Sequence, residues 1–166
     1  MLVAMIAGIL DWRSRRIPNW LTVSGLVAGI AVNAGLAGWG GIKVALLGAL
    51  LGLALLFPLV LVRSMGAGDW KLAGALGAAL GARQLGTVLV VAFLLAGLIA
   101  LIVVLWSGRL KQTLLNVARM LGALLSLRMP PAELSIDDPG STKIPFGVAM
   151  SAAVLLIGLG RILGKV

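Results

Sequence analysis

The chain has 166 residues, 61% hydrophobic and 11% charged, with a mean hydropathy of +1.14. A soluble domain carries about 25% charged residues, so this composition belongs in lipid, and the length suits one membrane-embedded domain, 1–166, with about six spans. Cysteine and histidine are absent, which excludes disulfides, thiol nucleophiles, Cys or His metal sites and imidazole acid–base chemistry. The net charge of +9 does not point to nucleic acid, because the basic residues fall in short loops between apolar runs, as membrane topology expects.

The first apolar segment, 1–11, resembles the apolar part of a signal peptide. It lacks a basic leading stretch and a small-residue cleavage site before Asp11, so it is kept as part of the fold. It is too short to cross a bilayer alone, and is expected either to be the end of a longer span or to be completed by tilt and by the residues after Asp11. The loop that follows carries Arg13, Arg15 and Arg16. Pro18 suits the first turn of a second helix over 20–37. The sequence GWGG predicts a turn into a third span near 42–62, with a kink at Pro58. After RSMGAG comes a short Ala/Gly-rich helix over 69–82, whose small residues allow close helix approach, with Arg83 at its far end. The fifth and sixth spans are predicted at 85–106 and 144–163, the last ending at Arg161 and Lys165.

Between those two lies a long loop, 107–143. Gln112, Asn116, Arg119 and Ser126 fall on one helical face there with leucines on the other, which predicts an amphipathic helix at the membrane surface. Arg119 and Arg128 disfavour an extra span. The tail PPAELSIDDPGSTK reads as polar surface, with Asp137 and Asp138 solvated and no convincing set of oxygen ligands for a divalent cation. If the loop after the first span is cytoplasmic, ten basic residues share that side (Arg13, Arg15, Arg16, Arg63, Lys71, Arg109, Lys111, Arg119, Arg128, Lys143) against four on the other (Lys43, Arg83, Arg161, Lys165). That bias places the first group in the cytoplasm and the C-terminus outside it.

Only five side-chain carboxylates occur, and Asp11 and Asp69 alone stand at the ends of apolar segments. An ionisable group there costs roughly 2.5–3.5 kcal/mol on insertion scales, so a functional role is the default reading. The predicted topology puts both on the cytoplasmic side, where they can meet. Two carboxyls a few ångströms apart cannot both ionise easily and share a proton, the chemistry of an aspartic protease. Blander roles exist for each: a salt bridge from Asp11 to Arg15, and an N-cap of the fourth helix for Asp69.

Asp11 with Ile17-Pro18-Asn19 and Thr22, then Gly66-x-Gly68-Asp69 with Lys71, then Pro145-Phe146-Gly147 opening the last span, resembles the prepilin peptidase family of membrane aspartic proteases. The three landmarks stand in family order and cover 11–147. Lacking the cysteine-rich and methyltransferase region, the chain looks like the small single-domain members that serve tight-adherence (Flp-type) pili, and no methyl transfer is expected. The resemblance implies an all-α polytopic membrane protein with about six transmembrane helices and one interfacial helix. It also implies a catalytic pair of Asp11 and Asp69 that needs neither cofactor nor metal. Its partners would be prepilin or pseudopilin precursors and the lipid bilayer, with no nucleic acid. Cleavage would follow a leader glycine at the cytoplasmic face of the bacterial inner membrane, just before the pilin's apolar helix. A basic enzyme face does not attract a basic leader, so recognition is expected through that helix and the backbone near the cut.

Around the pair, Gly66 and Gly68 allow a tight turn and room for an extended substrate, or serve a plain turn or helix packing. Pro18 and Asn19 are expected to shape the start of the second span. Lys71 has three readings: stabilising a negative dyad, binding a substrate carbonyl, or following the positive-inside rule. Pro145, Phe146 and Gly147 are expected to line the cleft, with core packing the alternative for Phe146. Rival functions are a small transporter or channel subunit with the acids as a proton relay and an assembly subunit of a secretion system with the acids as packing partners. Within the protease class, an archaeal preflagellin peptidase shares the aspartate logic, while the IPN and PFG motifs favour the bacterial type.

Overall fold

A computed structural model of the chain describes residues 1–61, 64–108, 110–125 and 145–164. Arg63, Arg109, Ser126, Arg128, Asp137, Asp138, Lys143, Lys165 and the polar tail before the last helix lie outside the described residues. Six helices and no strand occur among those described: α1 (Leu2–Ser14), α2 (Asn19–Leu61), α3 (Ala67–Leu80), α4 (Ala82–Ser107), α5 (Leu110–Leu125) and α6 (Phe146–Ile162).

A straight α2 of 43 residues would run about 65 Å, twice the ~30 Å of a bilayer core. It is broken instead at Ala37 (φ −137°) and Gly38 (φ 54°, ψ −133°), a backbone state that essentially only glycine adopts. The reversal stands at the head of the predicted GWGG turn, and Trp39–Gly41 already belong to the second arm. Contacts with α3 show that the arms are antiparallel. Along the first, Gly25 and Gly29 meet Ala75 and Ala78–Ala79, whereas along the second, Gly48 and Gly52 meet Gly77 and Ala73. Pro58 lies near the end of the second arm and keeps helical dihedrals.

α3 nests between these arms, backbone to backbone. A Cβ on Gly48 would overlap the Gly77 carbonyl, and one on Gly29 would stand 2.7 Å from the Ala79 nitrogen. This is small-residue packing of the kind that joins helices in lipid. Asn33 closes the end of α3, its amide nitrogen donating toward the carbonyls of Ala78 (3.0 Å) and Ala79 (3.3 Å), two of the acceptors a helix C-terminus leaves unpaired. We expect Gly48→Ala to destabilise the protein by roughly 1–3 kcal/mol through overpacking, and Gly35→Ala, where a methyl meets nothing within 4 Å, to be neutral. Thermal unfolding in detergent measures both.

α1, α4 and α6 complete the bundle around Ala4, Ala7, Leu85, Leu89, Phe146 and Met150. Successive contacts from Met1 against Gly158, through Gly8 against Ser151, to Asp11 against Gly147 make α1 and α6 antiparallel. α4 runs from the α3 end back toward the start of α6, with Phe93 and Phe146 rings 5.1 Å apart. α2 and α4 are each long and apolar enough to cross a membrane, and α6 is a shorter apolar helix. Their outer faces leave Leu36, Leu46, Leu50, Val90, Leu94 and Leu98 exposed, a surface suited to lipid rather than water. α1 and α3, at 13 and 14 residues, span only about 20 Å. The predicted amphipathic helix forms as α5, which follows α4 directly and leaves Leu110, Leu114 and Val117 exposed.

Candidate active site

Asp11 lies in the last turn of α1, which ends when Arg15 takes a left-handed conformation (φ 50°) and its N–H bonds the Asp11 carbonyl. The side chain points inward and is only 5% exposed. Its Oδ2 accepts the N–H of Val148 at 3.2 Å, and the N–H of Gly147 also addresses it. α6 begins after Pro145 without a side-chain cap, so its first amides need an outside acceptor. Asp11 supplies one from another helix, and the positive end of α6 supports the carboxylate in return. The alternative role for Asp11, a salt bridge to Arg15, does not form: no ion pair occurs within 4.0 Å among the described residues, and the guanidinium acts on Asp11 from farther away.

Asp69 sits in the first turn of α3. Gly66 is the N-cap residue of that helix and Asp69 the third residue inside it, which corrects the N-cap reading. The carboxyl lies within reach of the charge of Asp11 and of the N–H of Gly147. Its Oδ1 is buried without a hydrogen-bond partner, an arrangement that costs stability and marks groups kept for function. The pair thus stands over the first amides of α6, with one carboxyl oxygen unengaged.

The glycines divide by position. A Cβ on Gly147 would lie 2.8 Å from Asp11 Oδ2 and 2.9 Å from Ile17 Cδ1, and one on Gly68 would lie 3.2 Å from Ile17 Cβ. Ile17, buried, fills the space between these two glycines. On Gly66 a Cβ would make ordinary contact with Asp69 Oδ2 at 3.5 Å. Of the PFG triplet, only Gly147 reaches the carboxyls. Phe146 is buried in the core against Phe93, and Pro145 sets the start of α6.

Pro18 stands just before α2, its carbonyl accepting the N–H groups of Leu21 and Thr22, so it shapes the helix start one residue earlier than predicted. Asn19 Oδ1 accepts a 2.9 Å bond from Lys71 Nζ. Lys71 therefore ties the start of α3 to the start of α2, and forms no ion pair with either aspartate. Sequence reasoning missed the packing role of Ile17 and the Val148 amide. Ile17 was visible inside the IPN motif, but its role depends on two glycines far along the chain. Among the described residues, no three His, Cys, Asp or Glu side chains gather as a metal site would require.

No curated protein and no solved structure matches the chain. A family model does: that of the type IV leader peptidase family, over residues 1–105. The matched stretch holds Asp11, the IPN segment and the Gly66–Lys71 motif, and the fold brings Gly147 from beyond it to the same two carboxyls. The match takes in most of the chain and both aspartates, and the chain belongs to the type IV leader peptidase family.

Proposed function

We propose that this protein is an aspartic endopeptidase that removes the leader of Flp-type prepilins, with Asp11 and Asp69 as its catalytic pair. One observation carries the reading: two acids distant in sequence come within range of each other's charge at the N-terminus of α6, in a chain with five side-chain carboxylates in all. Asp11, held by the Val148 N–H, suits the ionised role, because hydrogen bonds to a carboxylate favour its charged form. Asp69, with Oδ1 buried and unpaired, suits the role of proton donor. Asp11 takes a proton from water as the oxygen attacks the scissile carbonyl carbon, while Asp69 protonates the carbonyl oxygen. The tetrahedral intermediate then breaks at its C–N bond: the proton held by Asp11 passes to the leaving amine, and one gem-diol hydroxyl returns its proton to Asp69 as the C=O re-forms, which restores both acids. The Gly147 N–H acts on both carboxyls and so helps to orient the pair.

Placement in the bacterial inner membrane follows from the same features. The two arms of α2, with α1, α3, α4 and α6, make six membrane-embedded segments, and α5 lies at the surface. Arg13, Arg15, Arg16, Lys71 and Lys111 gather at the site end, against Lys43, Arg83 and Arg161 at the other. The positive-inside rule puts the site at the cytoplasmic face. The precursor's apolar helix would lie in lipid beside the outer faces of α2 and α4.

The test is co-expression with an Flp-type prepilin, reading the precursor by intact mass. The expected result is loss of the leader mass in cells carrying the protein and not in cells lacking it. An uncut panel of prepilins, combined with proton flux in reconstituted vesicles, would favour a relay instead.

A further inference from the structure

Three side chains are both polar and buried among the described residues: Asp11, Thr22 and Ser151. Thr22 bonds within the first turn of its own helix, to the Asn19 carbonyl. Ser151 is different. Its Oγ lies 2.7 Å from the carbonyl of Gly147, one turn back on α6, and also against the carbonyl of Ala4 on α1. A single hydroxyl proton faces two acceptors, one on each helix.

The crossing is built for this hydroxyl. Ala4, Gly8 and Asp11 follow at helical spacing along one stripe of α1, and Gly147 and Ser151 are one turn apart on α6. A Cβ on Gly8 would stand 2.7 Å from Ser151 Oγ and 2.8 Å from Ser151 Cβ, so only a glycine lets α6 approach this far. The two helices are therefore joined by two polar rungs: Ser151 at the Ala4 carbonyl, and the Val148 N–H at the Asp11 carboxylate. The rungs share one helix pair, so a slide at the first shifts the second. Ser151 also touches the carbonyl of Gly147, the residue that packs directly on Asp11 Oδ2.

We propose that Ser151 is a positioning residue for the aspartate pair: its hydroxyl sets the register of α1 against α6 and so holds Asp11 on the amides of Gly147 and Val148. The proposal rests on the reading of Asp11 and Asp69 as the catalytic pair. It touches no substrate and assigns Ser151 no proton transfer.

The test compares wild type, Ser151→Ala and Ser151→Cys, purified in detergent from equal membrane levels. Cysteine keeps a polar atom on Cβ, larger than the hydroxyl oxygen and only a weak donor, so it carries the test if the alanine variant does not accumulate. Two quantities are read: kcat and KM on a prepilin, and the rate at which a hydrophobic carbodiimide labels Asp11, located by peptide mass. We expect kcat to fall about tenfold with KM within about twofold, and Asp11 to be labelled faster once it is loosened from the α6 amides. A hydroxyl that only stabilises the fold would lower the melting temperature and leave kcat and labelling at wild-type values below it, and that result overturns the proposal. If wild type leaves the precursor uncut, the leader-peptidase reading fails, while the labelling rates still decide whether Ser151 positions Asp11.

Discussion

We expect Asp11→Asn and Asp69→Asn each to cut the rate of prepilin cleavage by at least roughly a thousandfold at wild-type abundance. General acid–base groups contribute about 10²–10⁴-fold each, and here each acid depends on its neighbour to hold the other half of the proton exchange. Asparagine keeps the size and planarity of aspartate. At position 11 its carbonyl oxygen can still accept the Val148 N–H that Asp11 Oδ2 accepts at 3.2 Å, so the start of α6 keeps its partner and the fold survives. What is lost is the capacity to take up and return a proton. Because the two act as a unit, the double variant should be no slower than either single one. The measurement is single-turnover cleavage with purified enzyme in detergent, with the melting temperature of each variant recorded alongside. Near wild-type rates in either single variant would remove that residue from the chemistry.

Much of this site was legible in the sequence because its chemistry is rare there. In a chain without cysteine or histidine, two aspartates at the ends of apolar runs stand out, and the motifs around them are contiguous. The helical segments were legible for a similar reason: long apolar runs punctuated by glycine, proline and arginine allow few alternatives. What the sequence hid was pairing between distant positions. The reversal at Ala37–Gly38 depends on one glycine among several, and nothing local separates Gly38 from Gly40 or Gly41. Asn33 reads as an odd polar residue in an apolar helix until α3 brings its terminal carbonyls alongside. The glycine-rich turn before Asp69 left a helix-cap role open beside the catalytic one, yet the helix starts at Ala67 and Asp69 is its third residue, within range of the charge of Asp11. The amides of Gly147 and Val148 were invisible altogether, since every residue but proline has one and only the fold aims them.

That last point makes Gly147→Ala the sharpest test of the geometry, with an expected loss of roughly a hundredfold in kcat. The added methyl would stand 2.8 Å from Asp11 Oδ2, 3.1 Å from Asp11 Cβ and 2.9 Å from Ile17 Cδ1. Ile17 is buried against Gly68 and cannot swing away freely, so the carboxylate must move. A displacement near 1 Å at a reacting group costs about 10²-fold. Stability should change little, because alanine is favoured over glycine in a helix by roughly 0.5–1 kcal/mol, which offsets part of the crowding. A rate loss without a matching loss of melting temperature separates a displaced catalytic group from a damaged fold. Gly86→Ala is the control, since a methyl there meets nothing within 4 Å and activity should stay at the wild-type level. Should Gly147→Ala cleave as fast as wild type, Asp11 does not work from its seat on the α6 amides, and the active arrangement of the two helices differs from the one described.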